Sequence, residues 1–303
     1  MGARFKTFGR PMSVGAARFI AVATVMAVSF FPFDGGHRPN AATNEGVVSI
    51  GGSVTEIVYA LGEEGRLIGR DTTSSYPPEA EDLADVGYMR ALSAEGVLAM
   101  DPALILSEAG AGPPEVIDVL QGAGVRFEML EPAFDGAGIA AKIRAVGTAL
   151  DVQQQAETLA ADVEAQMTAA TGSAAEMAGD APKRVLFILS AQGGRIMASG
   201  TGTSADAMIR LAGGVNAIGG VEGYKPLSDE AISQAAPDAI VMMDRGGDHS
   251  IADDELFAMP AIKTTPAAQT RTVIRMNGLL LLGFGPRTPG AVRELSAALY
   301  GAS

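Results

Sequence analysis

One stretch near the middle of the chain constrains everything around it. Leu159, Val163 and Met167 recur at the four-residue spacing of a single helical face, which predicts a helix from 152 to about 177. At 1.5 Å per residue such a helix spans roughly 40 Å, about the width of a small domain. Ile139, Ile143, Val146 and Leu150 mark a preceding helix ending near 149, and Asp151 followed by Gln154 offers a capping-box restart. Gly179 to Pro182 ends the long helix.

On either side, short apolar strands alternate with helical stretches. Before the helix, strands are predicted at 47–50, 66–69, 103–106 and 125–130, with helices at 53–61 and 113–120. Ser53 with Glu56 three residues later has the spacing of a capping box. After it come strands at 185–189, 239–243 and 273–276, and helices at 205–211 and 289–299. Alternation of this kind builds mainly parallel sheets with helices on their faces. The expected fold is α/β: two Rossmann-like lobes joined by a single long α-helix, with the ligand cleft between them. The divisions are 1–42, 43–150 for the first lobe, 151–180 for the connector and 181–303 for the second lobe. A rigid connector limits hinge closure.

The first 42 residues differ from the rest: Arg4, Lys6, Arg10 and Arg18 precede an apolar run from Phe19 to Phe33, followed by small residues around Ala41 and Ala42. That is the layout of a secretory signal peptide, and the run is shorter than the roughly 20 residues that span a bilayer. Its removal takes away five basic groups and one acid, leaving 17 basic against 34 acidic residues, net −17. A surface this acidic excludes nucleic acid as a partner. Cysteine is absent, which rules out disulfides, thiolate metal sites and covalent haem attachment. His37 lies in the leader, so His249 is the only histidine beyond it, too few imidazoles for a bare zinc site. The expected location is the periplasm.

Asp85-Val86-Gly87-Tyr88-Met89-Arg90-Ala91-Leu92-Ser93-Ala94-Glu95 lies in a loop between predicted elements, with Ser93 placed to cap the following helix. Loops on a rigid scaffold are where ligands are met. A tyrosine there can ligate ferric iron through its phenolate, although an unperturbed tyrosine ionises only near pH ~10. Bound iron and the nearby Arg90 would both favour the phenolate. The residues alone also permit Tyr88 to be an amphipathic loop residue packed over the lobe.

From Val47 onward the chain resembles the haem-binding periplasmic proteins of bacterial ABC importers. The matching stretches are GGSVTEIVYALG (51–62), DVGYMRALSAEGVLAM (85–100), GTSADAMIRLAGGVNA (202–217), GYKPLSDEAI (223–232) and LLGFGPRTP (281–289). The resemblance implies a binding protein rather than an enzyme, acting as a monomer on non-covalent haem b from an outer-membrane receptor system and delivering it to a permease and its ATPase. It makes Tyr88 the axial iron ligand and brings Arg90 and Arg245 to the haem from opposite lobes. Arginine suits the propionates because it keeps its charge and offers a planar fork. Tyr224 and Lys225 are expected at the cleft rim. Glu56 and Glu230 are expected to pair with permease arginines. Local explanations stand beside these roles: an ion pair of Arg245 with Asp244 or Asp248, the capping box for Glu56, and the helix dipole for Glu230.

Two alternatives differ in cargo or class. The same fold could carry a ferric siderophore or a cobalamin, although a siderophore leaves its iron no need of a protein phenolate. Gly200-Thr201-Gly202-Thr203-Ser204-Ala205 fits a dinucleotide fingerprint, with Glu222 about 20 residues beyond, which would suit a secreted enzyme. A helix cap at Thr203 or Ser204 explains the same residues.

Overall fold

The computed structural model describes residues 45–244 and 251–301. The expected leader, Arg245 and His249 therefore lie outside the described residues. In the first lobe, β1 (Val47–Ile50) leads to α1 (Gly52–Ala60), and β2 (Leu67–Arg70) to β3 (Ala84–Asp85). Next come α2 (Ala94–Leu98), β4 (Leu104–Glu108), α3 (Pro114–Gly122) and β5 (Arg126–Leu130). The strands form one parallel sheet in the order β3-β2-β1-β4-β5. β1 is buried along its whole length, as expected of a central strand covered on both faces.

Two helices then run back to back, α4 (Gly136–Ala149) and α5 (Gln153–Ala178). Asp151 does not cap the second: its φ of 62° places it in a tight turn, and Val152 occupies the cap position without a side-chain bond. α5 has 26 residues, about 39 Å at 1.5 Å each. Its buried face consists largely of Ala156, Ala160, Ala170 and Ala174 with Val163 and Met167, whereas Leu159 stays partly exposed. Alanine lets neighbouring helices approach closely, and weak hydrophobicity hid this face from the periodicity.

The second lobe contains β6 (Arg184–Gln192), β7 (Arg195–Ser199), α6 (Ser204–Leu211), β8 (Val215–Asn216) and β9 (Tyr224–Leu227). It continues through α7 (Asp229–Ala235), β10 (Ala239–Asp244), α8 (Asp253–Ala258), α9 (Pro266–Thr270) and β11 (Val273–Asn277). α10 (Gly278–Leu282) and α11 (Thr288–Tyr300) close it. The sheet order is β11-β10-β6-β7-β9, with β8 on β6. β7 runs antiparallel to both neighbours, a departure from the expected parallel pattern. The cause is local: Gly193 and Gly194, at φ 60° and 75°, form a two-residue hairpin turn that sends the strand straight back.

α5 is not a free-standing strut. It packs against α4 from one side of the chain and α11 from the other. One hydrophobic cluster runs from Val47 and Leu104 of the first lobe, through Val163 and Met167, to Val241 and Leu295 of the second.

Candidate functional site

In sheets wound in both directions, ligands meet the crevice at the carboxyl ends of the strands, where the strand order reverses. In the first lobe that point lies between β1 and β4, at the start of α1. The protein fills it with its own carboxylates. Buried Asp71 accepts from the Gly51 N–H at 2.8 Å, from Thr73 N–H at 2.9 Å and from the Ser74 hydroxyl at 2.7 Å. Glu108 accepts from Ser53 Oγ at 3.0 Å and from Lys142 Nζ at 2.7 Å. Asp71 thus serves the helix start at the cap position Gly51, two residues before Ser53, which lies inside the helix; the expected capping box is not made.

Glu56 accordingly has other work. Its carboxylate, 5% exposed, receives the Arg287 backbone N–H at 3.0 Å and the guanidinium Nε at 2.9 Å. The carboxylate is thus turned inward onto the second lobe. Lys142, its side chain 1% exposed, makes a second tie by donating to the Phe284 carbonyl at 3.4 Å. Phe134 meets Phe284 edge-on with ring centroids 5.1 Å apart. These three contacts close the back of the cleft.

The Tyr88 loop leaves β3 beside this floor. Its backbone is pinned by three bonds: Thr72 N–H donates to Gly87 O at 3.0 Å, Gly112 N–H to Met89 O at 2.8 Å, and Leu92 N–H to Gly112 O at 2.9 Å. Val86 and Leu92 are buried beneath it, and Arg70 holds Asp85 at 2.9 Å. The outcome is a fixed backbone with Tyr88 46% exposed. Arg90 is exposed and makes no ion pair among the described residues. Ser93 caps α2 as expected, accepting from Gly96 N–H at 3.3 Å.

In the second lobe, Tyr224 heads β9, half-buried. Its ring packs edge-on against Phe187 at 6.2 Å, and its hydroxyl lies 3.3 Å from Ser204 Oγ. That anchoring holds the ring in place at the start of β9. Lys225 next to it is exposed. Arg245 directly follows β10, but outside the described residues. Glu230 is exposed in the first turn of α7, whose cap Ser228 accepts from Ala231 N–H at 3.2 Å.

Sequence reasoning overlooked Glu95. It is exposed in the first turn of α2, two residues after the cap Ser93, just as Glu230 follows Ser228 by two. The repeat Ser-x-Glu at a helix start in each lobe was the available signal.

The glycine motif at 200–205 is explained by packing. A Cβ on Gly200 would lie 2.1 Å from the Val221 carbonyl oxygen, because the backbones hydrogen-bond there. Thr203 caps α6, and Asp206 takes the Gly202 N–H at 3.2 Å. Asn216 bonds both Asp206 and the Gly200 carbonyl. Two backbone donors at this helix start, the N–H groups of Gly202 and Asp206, are therefore engaged internally. Among the described residues no group of three or more acidic or histidine side chains stands ready for a metal ion.

Residues 47–278 match the family model described as periplasmic binding protein. Among solved structures, the chain is similar to the periplasmic heme-binding protein BhuT in complex with two hemes. The identity is 42% and the TM-score 0.78, covering 84% of this chain and 98% of that one. A periplasmic heme-binding protein from Pseudomonas aeruginosa is 36% identical with a TM-score of 0.77, covering 86% and 94%. A vitamin B12-binding protein of Pectobacterium atrosepticum is 27% identical over 84% of this chain and 88% of its own length.

Proposed function

The chain belongs to the periplasmic binding protein family, and from that premise we propose that it captures haem in the periplasm and delivers it to an ABC-type importer. The observation that carries this reading is Tyr88, exposed on a loop whose backbone is fixed at the carboxyl ends of the first sheet. A ligand atom held in place by its scaffold loses little freedom when it meets iron. The phenolate oxygen would bind ferric iron from the first lobe, and Arg90, two residues on, would take a propionate. Arg245 and Lys225 would meet the tetrapyrrole from the second lobe. The similarity to two heme-binding structures over more than four-fifths of the chain supports haem as the cargo.

Delivery requires a permease and its ATPase, with haem supplied through an outer-membrane receptor system and the protein acting as a monomer. Docking falls to Glu95 and Glu230, one exposed carboxylate on each lobe, in place of the buried Glu56.

The relative that binds vitamin B12 keeps a second cargo in view. Titrating the purified protein with haemin and, separately, with cyanocobalamin distinguishes them. A shifted Soret band with ferric high-spin features, lost in Tyr88→Ala, is the expected result. Saturable cobalamin binding with an unchanged haemin spectrum would sink the haem reading.

A further inference from the structure

Tyr76 lies in the loop that follows β2, the neighbour of the strand leading to Tyr88. The two loops are joined by the Thr72 to Gly87 hydrogen bond, and Thr73 Oγ1 lies 3.9 Å from Met89 Sδ. From the other lobe, the Arg287 guanidinium carbon sits 3.4 Å from the centroid of the Tyr76 ring. The loop that carries Tyr76 therefore joins the Tyr88 loop through Thr72 and Thr73, and Tyr76 itself meets the second lobe.

The ring is backed in depth. Arg287 covers one face, and buried Glu56 holds Arg287 through Nε at 2.9 Å, Nη2 at 2.8 Å and the backbone N–H at 3.0 Å. Cation and ring attract each other, so the stack is stiff before any ligand arrives. Even so, Tyr76 is 38% exposed, and its hydroxyl makes no hydrogen bond among the described residues. A flat ring with one face taken and surface left over offers offset stacking to another flat π-system.

We infer that Tyr76 is a shelf against which the face of a bound tetrapyrrole rests, an inference that builds on the haem reading of the cleft. It divides the labour between two tyrosines: Tyr88 binds the iron, and Tyr76 binds the macrocycle whether or not iron is present. The shelf also favours flat ligands over a cobalamin, whose axial groups stand off both faces of its ring.

The test uses the mature protein with two probes, haemin and iron-free protoporphyrin IX, read by Soret absorbance and porphyrin fluorescence. Tyr76→Leu should weaken both by roughly 2- to 10-fold, the range for one aromatic stacking contact, while leaving the shape of the haemin Soret band unchanged. Tyr76→Phe should bind both probes as the parent does. Tyr88→Ala should alter the haemin spectrum and leave protoporphyrin affinity nearly intact. Unchanged affinity of Tyr76→Leu for both probes, with Tyr88→Ala still losing the iron spectrum, overturns the shelf and spares the haem reading. A parent protein that binds neither probe overturns both. Should Tyr76→Leu fail to fold, a Tyr76→Phe variant weakened as much as Tyr88→Ala would show that the hydroxyl rather than the ring face is used, which also overturns the shelf.

Discussion

Arg287 and Glu56 face each other across the two lobes, with Nε 2.9 Å from one carboxylate oxygen and the Arg287 backbone N–H 3.0 Å from the other. Removing one partner of a buried pair leaves a charge without compensation, which costs about 3–5 kcal/mol. Arg287 keeps 28% side-chain exposure, so Glu56→Ala should fall at or below the bottom of that range, about 2–3 kcal/mol. Denaturant unfolding measures this. The double variant with Arg287→Ala should recover part of the loss, and strict additivity would contradict the coupling.

Little compaction is expected on ligand binding, because one apolar cluster and the Lys142 tie to Phe284 already join the lobes behind the cleft. Small-angle scattering with and without haemin should give the same radius of gyration within error. A substantial decrease would mean the lobes hinge despite these contacts.

Gly200→Ala forces a methyl group to within 2.1 Å of the Val221 carbonyl, a backbone atom that cannot swing aside. The loss should be about 1–3 kcal/mol, the usual range for overpacking. Dinucleotides should not raise the melting temperature of the parent protein, since Asp206 and Asn216 occupy the donors and acceptors at this helix start. A saturable rise with NAD would contradict that assignment.

Reversing both docking carboxylates, Glu95→Lys with Glu230→Lys, should abolish haem uptake in a reconstituted importer while the haemin spectrum is retained. Each side chain is exposed in a first helical turn, so stability should change only through the lost dipole interaction, by about 0.3–1 kcal/mol per site. Uptake that persists would remove these residues from the docking surface.

Much of the fold could be read from apolar spacing. The central strands are β-branched and leucine-rich runs, and both helices flanking residue 150 announced themselves through isoleucine, valine and leucine. What escaped was written in weaker letters. The alanine face of α5 has little hydrophobic contrast, and the β6 to β7 hairpin depends on a Gly-Gly pair that also suits an ordinary loop.

At the site, local chemistry misled where long-range partners decided. Ser53 and Glu56 have ideal capping spacing, yet Asp71 arrives from 20 residues away in sequence to take the Gly51 donor, and Arg287 arrives from 231 away to claim Glu56. No window of the sequence contains both ends of either contact. Tyr88 could be singled out because the motif around it, from Asp85 to Glu95, is contiguous, whereas the contacts that pin its loop come from Thr72 and Gly112.

Helix α11 returns from the second sheet to pack against the connector, and the turn between α10 and α11 reaches the first lobe through Phe284 and Arg287. The lobes are thus not independent parts that a hinge happens to join. A chain assembled from its amino end must carry the first lobe with its floor open, Glu56 lacking Arg287 and Lys142 lacking the Phe284 carbonyl, until residues 278–300 have emerged. Truncation near residue 278 would therefore damage the half of the molecule farthest away in sequence, and a fragment holding only the first lobe should be a poor stand-in for it.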